Sequence, residues 1–206
     1  MSITSRISYI ILICFIIYSC NNSKKKANDS KEDKYKIISL LIEKLSAGPP
    51  PPPPPPGVYK KDTIAFNRYV DSINKLNVSI VVFDHFIESE RTFTQAKREI
   101  HKDFHLLIER LENNEIENSK INFDSIIVSS NRKIIPVNKV YRNLLKDNNA
   151  SHYVAFSNII FNKNVDKAVV YMINNRGPLS GNTILVLLEK KDGSWRVFKR
   201  KLLTIS

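Results

Sequence analysis

The sequence predicts an α+β fold, with helices packed on one face of an antiparallel, C-terminal four-stranded meander, preceded by a signal peptide and a flexible tether. Two observations carry the fold class. Apolar side chains up to about residue 111 recur largely at helical spacing, while those of the last third gather into short β-rich segments separated by turn residues. Helices first and strands last is the order of a layered domain whose sheet buries one face under its helices.

The chain has 206 residues, 42% hydrophobic and 25% charged, which is enough apolar side chain for one packed core and argues against global disorder. Lys and Arg number 32 against 20 Asp and Glu, a formal net charge of +12. Such an excess favours anionic neighbours: phospholipid head groups, acidic polysaccharide or nucleic acid. The bases are spread along the whole sequence, the pattern of a solvated basic surface.

Residues 1–9 hold one charge, Arg6, and Ile10 to Ile17 form a nearly unbroken apolar run. A bilayer-spanning helix needs about 20 apolar residues, and even Ile7 to Tyr18 falls short. A positive start, a short apolar middle and a small residue at the cut site predict a signal peptide over residues 1–19. Ile17-Tyr18-Ser19-Cys20 resembles the lipobox of bacterial lipoproteins, with Tyr18 bulkier than usual at its place. The resemblance implies lipid attachment at Cys20, cleavage before it and acylation of the new amine. Several acyl chains make a stable membrane anchor. Cys14 then leaves with the signal peptide, so the mature chain has neither a disulfide framework nor a cysteine metal site. No metal and no cofactor are expected, and export sets nucleic acid aside as a partner.

Residues 20–34 are polar and charged, a flexible tether reaching roughly 20 Å. The Asn/Lys/Ile-rich composition resembles lipoproteins of Bacteroidetes-type bacteria. Some surface-displayed members carry an acidic run after the Cys. Lys24-Lys25-Lys26 stand here instead, which implies the periplasmic side of the outer membrane rather than the cell surface.

Tyr35, Ile38, Leu41, Ile42 and Leu45 predict a short amphipathic helix, ended by Gly48. Pro49 to Pro56 lack donors and fix φ, so they predict polyproline II spanning about 25 Å. A stiff spacer is the simpler reading than a docking ligand, because no patterned basic flank accompanies the run. Residues 35–57 therefore form a helix and spacer before a domain at 58–206. Within it Phe66, Tyr69, Val70, Ile73 and Leu76 share a helical face, with Asp62 as N-cap. Val78 to Ile87 predicts a buried strand. Thr92-Phe93-Thr94-Gln95 matches a capping box before a helix over residues 96–111. Short strands at 126–128 and 134–137 flank a turn, and a brief helix follows at 138–146. The meander strands are Ser157 to Asn162, Ala168 to Asn174, Thr183 to Lys190 and Ser194 to Thr204, the last two joined by a Lys191-Asp192-Gly193 hairpin turn.

The ending from Leu187 to Val197, with Phe156-Ser157 and Phe161-Asn162, resembles cystatin-like or NTF2-like sheets of small lipoproteins. The resemblance covers residues 150–206 and carries no active site to transfer. Trp195 is expected in the core.

The candidate chemistry is sparse. His101 and His105 are spaced to share a helix face, but Lys102 follows His101 where a metalloprotease needs its glutamate base, so both read as surface histidines. Asp84-His85 could begin an acid–base site, yet neighbouring strand residues point to opposite faces and should not cooperate. Gly177-Pro178-Leu179-Ser180-Gly181 has the wrong order for a nucleophile elbow and joins two strands, its glycines serving positive-φ turns. The carboxylate pairs Glu88/Glu90 and Glu112/Glu115 lie in polar connections with no partner constellation. Asp-Ser/Thr-apolar tripeptides at Thr63, Ser72 and Ser125 resemble O-glycosylation sites of Bacteroidetes envelope proteins, with Asp62 and Asp124 also explained as caps.

The sequence thus points to a lipid-anchored, non-enzymatic envelope protein that binds an anionic envelope component or a protein partner. Two other readings stay open: an envelope hydrolase whose site is assembled from residues distant in sequence, and an assembly factor using the proline segment as spacer.

Overall fold

Val78–Phe83, with the sequence VSIVVF, is apolar at every position but Ser79. A strand with no polar face needs cover on both sides and belongs in the middle of a sheet. In the computed structural model, which describes residues 30–45, 76–88, 93–113, 119–141, 143–177 and 180–205, that is its place. This strand, β1, pairs in parallel with β2 (Arg132–Val137) on one side and β3 (His152–Phe156) on the other. β3 pairs antiparallel with β5 (Lys167–Asn175), β5 with β6 (Gly181–Lys191), and β6 with β7 (Ser194–Ile205). The order is β2-β1-β3-β5-β6-β7 in a seven-stranded sheet, with the two-residue β4 (Ile160–Phe161) also on β5. β3 and β4 run one after the other along the same edge of β5. At the break between them, the Ser157 N–H donates to the Tyr171 carbonyl (2.8 Å), and the Ser157 Oγ accepts from the Tyr171 N–H (2.9 Å).

The fold is therefore α+β around a mixed sheet, not a purely antiparallel one. The three strands from residue 167 onward form the expected meander. The fourth differs: Ser157 to Asn162 contributes only β4, and the full neighbour of β5 is β3. The Asp192-Gly193 turn has φ of 50° and 76°, both left-handed as a two-residue hairpin with a primed turn requires.

Helices cover both sheet faces, which corrects the expectation of one. α1 (helical over 30–43) places Tyr35, Ile37, Ile38, Leu41 and Ile42 against Ile80, Val82, Val154, Phe156, Val170, Val186 and Trp195. The alternate residues Val169, Tyr171, Leu185 and Leu187 face the other way, under α2 (Thr94–Arg98) and α3 (His105–Glu112). Val81, Tyr153 and Ala155 on that same side meet Leu144 of α4 (Leu144–Asp147). β1 is apolar on both faces apart from Ser79 and every residue of β3 is buried, so neither strand shows an alternation from which to read a single covered face.

α1 also crosses two expected boundaries. It is already helical at residue 30, inside the expected tether, and its apolar face lies in the main core rather than before the domain. The expected helix over 96–111 is broken. Glu99 closes α2, His101 is extended (φ −60°, ψ 139°), and Lys102–Phe104 form a 3-10 turn. The carbonyls left open by the break bond Lys199 Nζ (Glu99 O, 2.7 Å) and His105 Nε2 (Ile100 O, 3.1 Å). Ile100 and Phe104 both enter one core.

Smaller expectations shift as well. Phe93, not a threonine hydroxyl, stands at the N-cap of α2, and its N–H donates to Glu112. Residues 126–128 form no strand. They follow a 3-10 turn at Phe123–Ser125 and bond α1 through Ile127 N–H to Ser39 Oγ (2.9 Å). The helix expected at 138–146 is α4, one short turn. Gly193 is the one glycine with positive φ among the described residues, so Gly177 serves its loop without it. The expectations for residues 1–29 and for the segment from 46 to 75, including the proline run, lie outside the described residues.

Candidate functional site: a basic cleft at the short end of the sheet

Because β4 is only two residues long, the sheet ends early beside it, and groups from both helical layers meet around that end. α1 contributes Ser30, Lys31, Lys34 and Tyr35, two adjacent pairs one helical turn apart. Arg110 reaches across from α3 on the opposite layer, its Nη1 donating to the Phe161 carbonyl of β4 at 3.0 Å. Ser119, Lys120 and Asn122 come from a segment tied to the end of β1, where Ile121 N–H donates to Asp84 O at 2.7 Å. Asn158 to Val165 form the remaining wall of a cleft of about 850 Å³.

The lining is chemically one-sided. Lys31, Lys34, Arg110, Lys120 and Lys163 bring positive charge, Asn122, Asn158 and Asn162 bring amides, and no carboxylate lines the cleft among the described residues. Two of the cations also have defined neighbours: Lys34 Nζ lies 4.7 Å from the Phe86 ring centroid, and Lys120 Nζ lies 3.7 Å from Asp84 Oδ2. Tyr35, Ile159, Ile160, Phe161 and Val165 give an apolar floor. The Tyr35 hydroxyl accepts from the Asn122 N–H at 3.1 Å and keeps its own proton to donate.

The rim turn is held by its own side chains. Asn162 Oδ1 accepts from the N–H groups of Asp166 and Lys167, both at 3.0 Å, and its amide donates to Asp166 Oδ1 at 2.6 Å. Val165 takes φ 57° there, a left-handed conformation that costs a β-branched residue about 1–3 kcal/mol. Its packing against the main core offsets part of that. The wall beside the cleft is thus a fixed turn, and a preformed concave site with a few convergent polar groups is the usual form of a ligand site.

A second cleft of about 620 Å³ is lined by Glu43, Lys44, Ser129, Asn131, Arg132, Val197 and Arg200. Its central cation is already committed. Arg132 Nη2 donates to the Glu43 carbonyl (3.2 Å) and Nε lies 3.7 Å from the Glu43 carboxylate, which itself holds Ser129. That arrangement clamps the end of α1 to β2.

The residues singled out in the sequence fall elsewhere. Cys20, Thr63 and Ser72 lie outside the described residues. Ser125 sits in the 3-10 turn, its Oγ accepting from Asn122 Nδ2 at 3.0 Å, and Asn122 rather than Asp124 caps that turn. His101 and His105 share no helix face: His101 Nδ1 lies 3.3 Å from Asp103 Oδ1, while His105 turns back to Ile100. Of the carboxylate pairs, Glu112 is bound to Lys97 at 2.6 Å, and Glu90 and Glu115 are outside the described residues. The Gly177–Gly181 segment joins β5 to β6, as expected. Asp84 and His85 do cooperate, contrary to expectation, with His85 Nδ1 2.7 Å from Asp84 Oδ1. β1 ends at Phe83 and Asp84 lies in a bend, so the strand alternation no longer applies.

None of the cleft cations was marked by a sequence pattern. They come from separated segments, and no spacing links Lys31 to Arg110 or Lys163. The asparagines around β4 were the one visible hint.

Among the described residues no three His, Cys, Asp or Glu side chains group as a metal site, and no helix is long and apolar enough to cross a membrane. Comparison with protein-family models, with curated proteins and with solved structures finds no match to this chain.

Proposed function

We propose that this chain is a lipid-anchored cell-envelope protein that acts by binding an anionic, hydroxyl-bearing ligand in the basic cleft, without chemistry of its own. One observation carries the reading: Lys31, Lys34, Arg110, Lys120 and Lys163 converge on a single concavity that no carboxylate lines among the described residues. Like charges gathered in a concave, partly apolar site raise the local concentration of a counter-charged ligand, and amides beside them suit hydroxyl groups. The acyl anchor at Cys20 is supported by the lipobox-like sequence, and the outer-membrane, periplasm-facing address by the composition and by Lys24-Lys25-Lys26 after the cysteine.

Thermal shift of the mature chain tests the binding. Sugar acids and sugar phosphates should raise the melting temperature, neutral sugars should not, and Lys120→Gln with Lys163→Gln should remove the rise. An equal rise in wild type and variant would refute the site.

The hydrolase reading has one observation in its favour, the Asp84–His85 pair. Among the described residues the His85 ring otherwise meets only Phe83, at 6.2 Å between ring centroids, so no nucleophile there faces its free nitrogen. Anion binding that survives His85→Ala separates the two readings.

A further inference from the structure

We infer that the cleft takes the phosphate-bearing headgroup of an anionic phospholipid, so that the domain rests with Ser30, Lys31 and Lys34 toward the bilayer that holds its anchor. The inference builds on the proposed function, on both the acylated Cys20 and the anion cleft, and names the ligand.

Chain length makes the argument. Ser30, on the lip of the cleft, is ten residues from Cys20. Whatever its conformation, such a segment spans no more than about 36 Å. An anchored chain therefore keeps this cleft within reach of the membrane surface at all times. A link that short sets the effective concentration of a neighbouring ligand near the millimolar range, so even a weak headgroup site is occupied. Phosphate is what the lining suits: ammonium groups are compact charges that attract phosphate from several directions, and Arg110, its Nη1 held by the Phe161 carbonyl, adds a fixed positive charge beside them. Asn122, Asn158 and Asn162 offer amides to the hydroxyls of a glycerol headgroup, and Ile159, Phe161 and Val165 pack against its carbon atoms. Lys24, Lys25 and Lys26, between anchor and cleft, add attraction of about 1 kcal/mol each to an anionic leaflet.

The test uses the mature chain from residue 20 with Cys20→Ser, so that no acyl group holds it to lipid. It is sedimented with phosphatidylcholine vesicles, with or without phosphatidylglycerol, and titrated calorimetrically with soluble glycerol 1-phosphate. The expected result is binding to phosphatidylglycerol vesicles alone, lowered at least about tenfold by Lys31→Glu with Lys163→Glu. Lys133→Glu with Lys146→Glu, the same charge change on exposed residues outside the cleft, should leave it nearly unchanged. Lys31→Gln with Lys163→Gln repeats the comparison if the glutamates disturb folding. Equal losses in both pairs would mean general surface attraction and overturn the inference. Glycerol 1-phosphate bound in the cleft without vesicle binding overturns the lipid source and leaves the anion cleft standing. Binding to neither removes both.

Discussion

Asp33 and Lys190 join α1 to the last hairpin across 157 residues of sequence. The Asp33 carboxylate, with only 3% of its side chain exposed, accepts a hydrogen bond from Lys190 Nζ at 2.7 Å. The same ammonium lies 5.6 Å from the Trp195 ring centroid, and Trp195 packs on Phe161 at 5.6 Å between centroids. One ion pair thus ties the helix that carries Lys31 and Lys34 to the last hairpin, whose Trp195 packs on Phe161 of the cleft wall.

Only the carboxylate of this pair is buried; the Lys190 side chain is 27% exposed and can reach water. Asp33→Ala should therefore destabilise the fold by about 1–2 kcal/mol, whereas the double replacement Asp33→Leu with Lys190→Met should cost less. Denaturant unfolding of the single and double variants measures the difference.

α1 belongs to the core and not to a leader. Ile38→Ala empties a fully buried site and should cost about 2–4 kcal/mol, in one cooperative transition with the sheet. Deleting Pro49 to Pro56 should shift the melting temperature by no more than about 2 °C, because a run without donors adds no ladder bond to the fold. A large drop would show that the run packs into the domain.

Acid should loosen the clasp between the α2–α3 break and the sheet. Hydrogen bonds from Lys167 and Lys201 hold the carboxyls of Asp103 and Glu99 below their ordinary values of 3.8 and 4.5. With the folded value depressed, the stabilisation is present above about pH 4.5 and is lost as pH falls through the lowered values. Melting temperature against pH should decline there, and Lys201→Met should flatten the decline.

At the other extreme, burial in β3 pushes the Tyr153 phenol up to about 12. Its folded value is raised, so stability is complete below pH 10 and falls as pH climbs from 10 toward 12. Ultraviolet absorbance of phenolate should show this one late titration, and Tyr153→Phe should remove its contribution to alkaline unfolding.

The anchor has its own test. Cys20→Ser should abolish labelling by a fatty-acid analogue in cells. Labelling at full strength would contradict acylation at that thiol.

How much the sequence discloses depends on whether a signal is local. The meander from β5 to β7 was legible because each strand is bounded by its own turn, and Asp192-Gly193 states its geometry in two residues. Trp195 was recognisable as core for the same reason. The parallel pairing of β1 with β2 and β3 was not legible, since partners such as Ile80 and His152 meet only through tertiary structure. The break at His101 has no glycine or proline to announce it, and Ile100 and Phe104, four apart, would share a face of an unbroken helix as well. The cleft was hidden in the same way, since its cations belong to different layers and become one site only because β4 stops after Phe161.

The most direct measurement of the central claim is an NMR titration of the isotope-labelled mature chain with inorganic phosphate. The amide groups of Lys31, Tyr35, Asn122, Asn158 and Asn162 should shift together along one saturable curve, with β7 unmoved. Shifts spread evenly over the basic surface, or centred on Lys199 and Arg200, would contradict a cleft built to hold an anion.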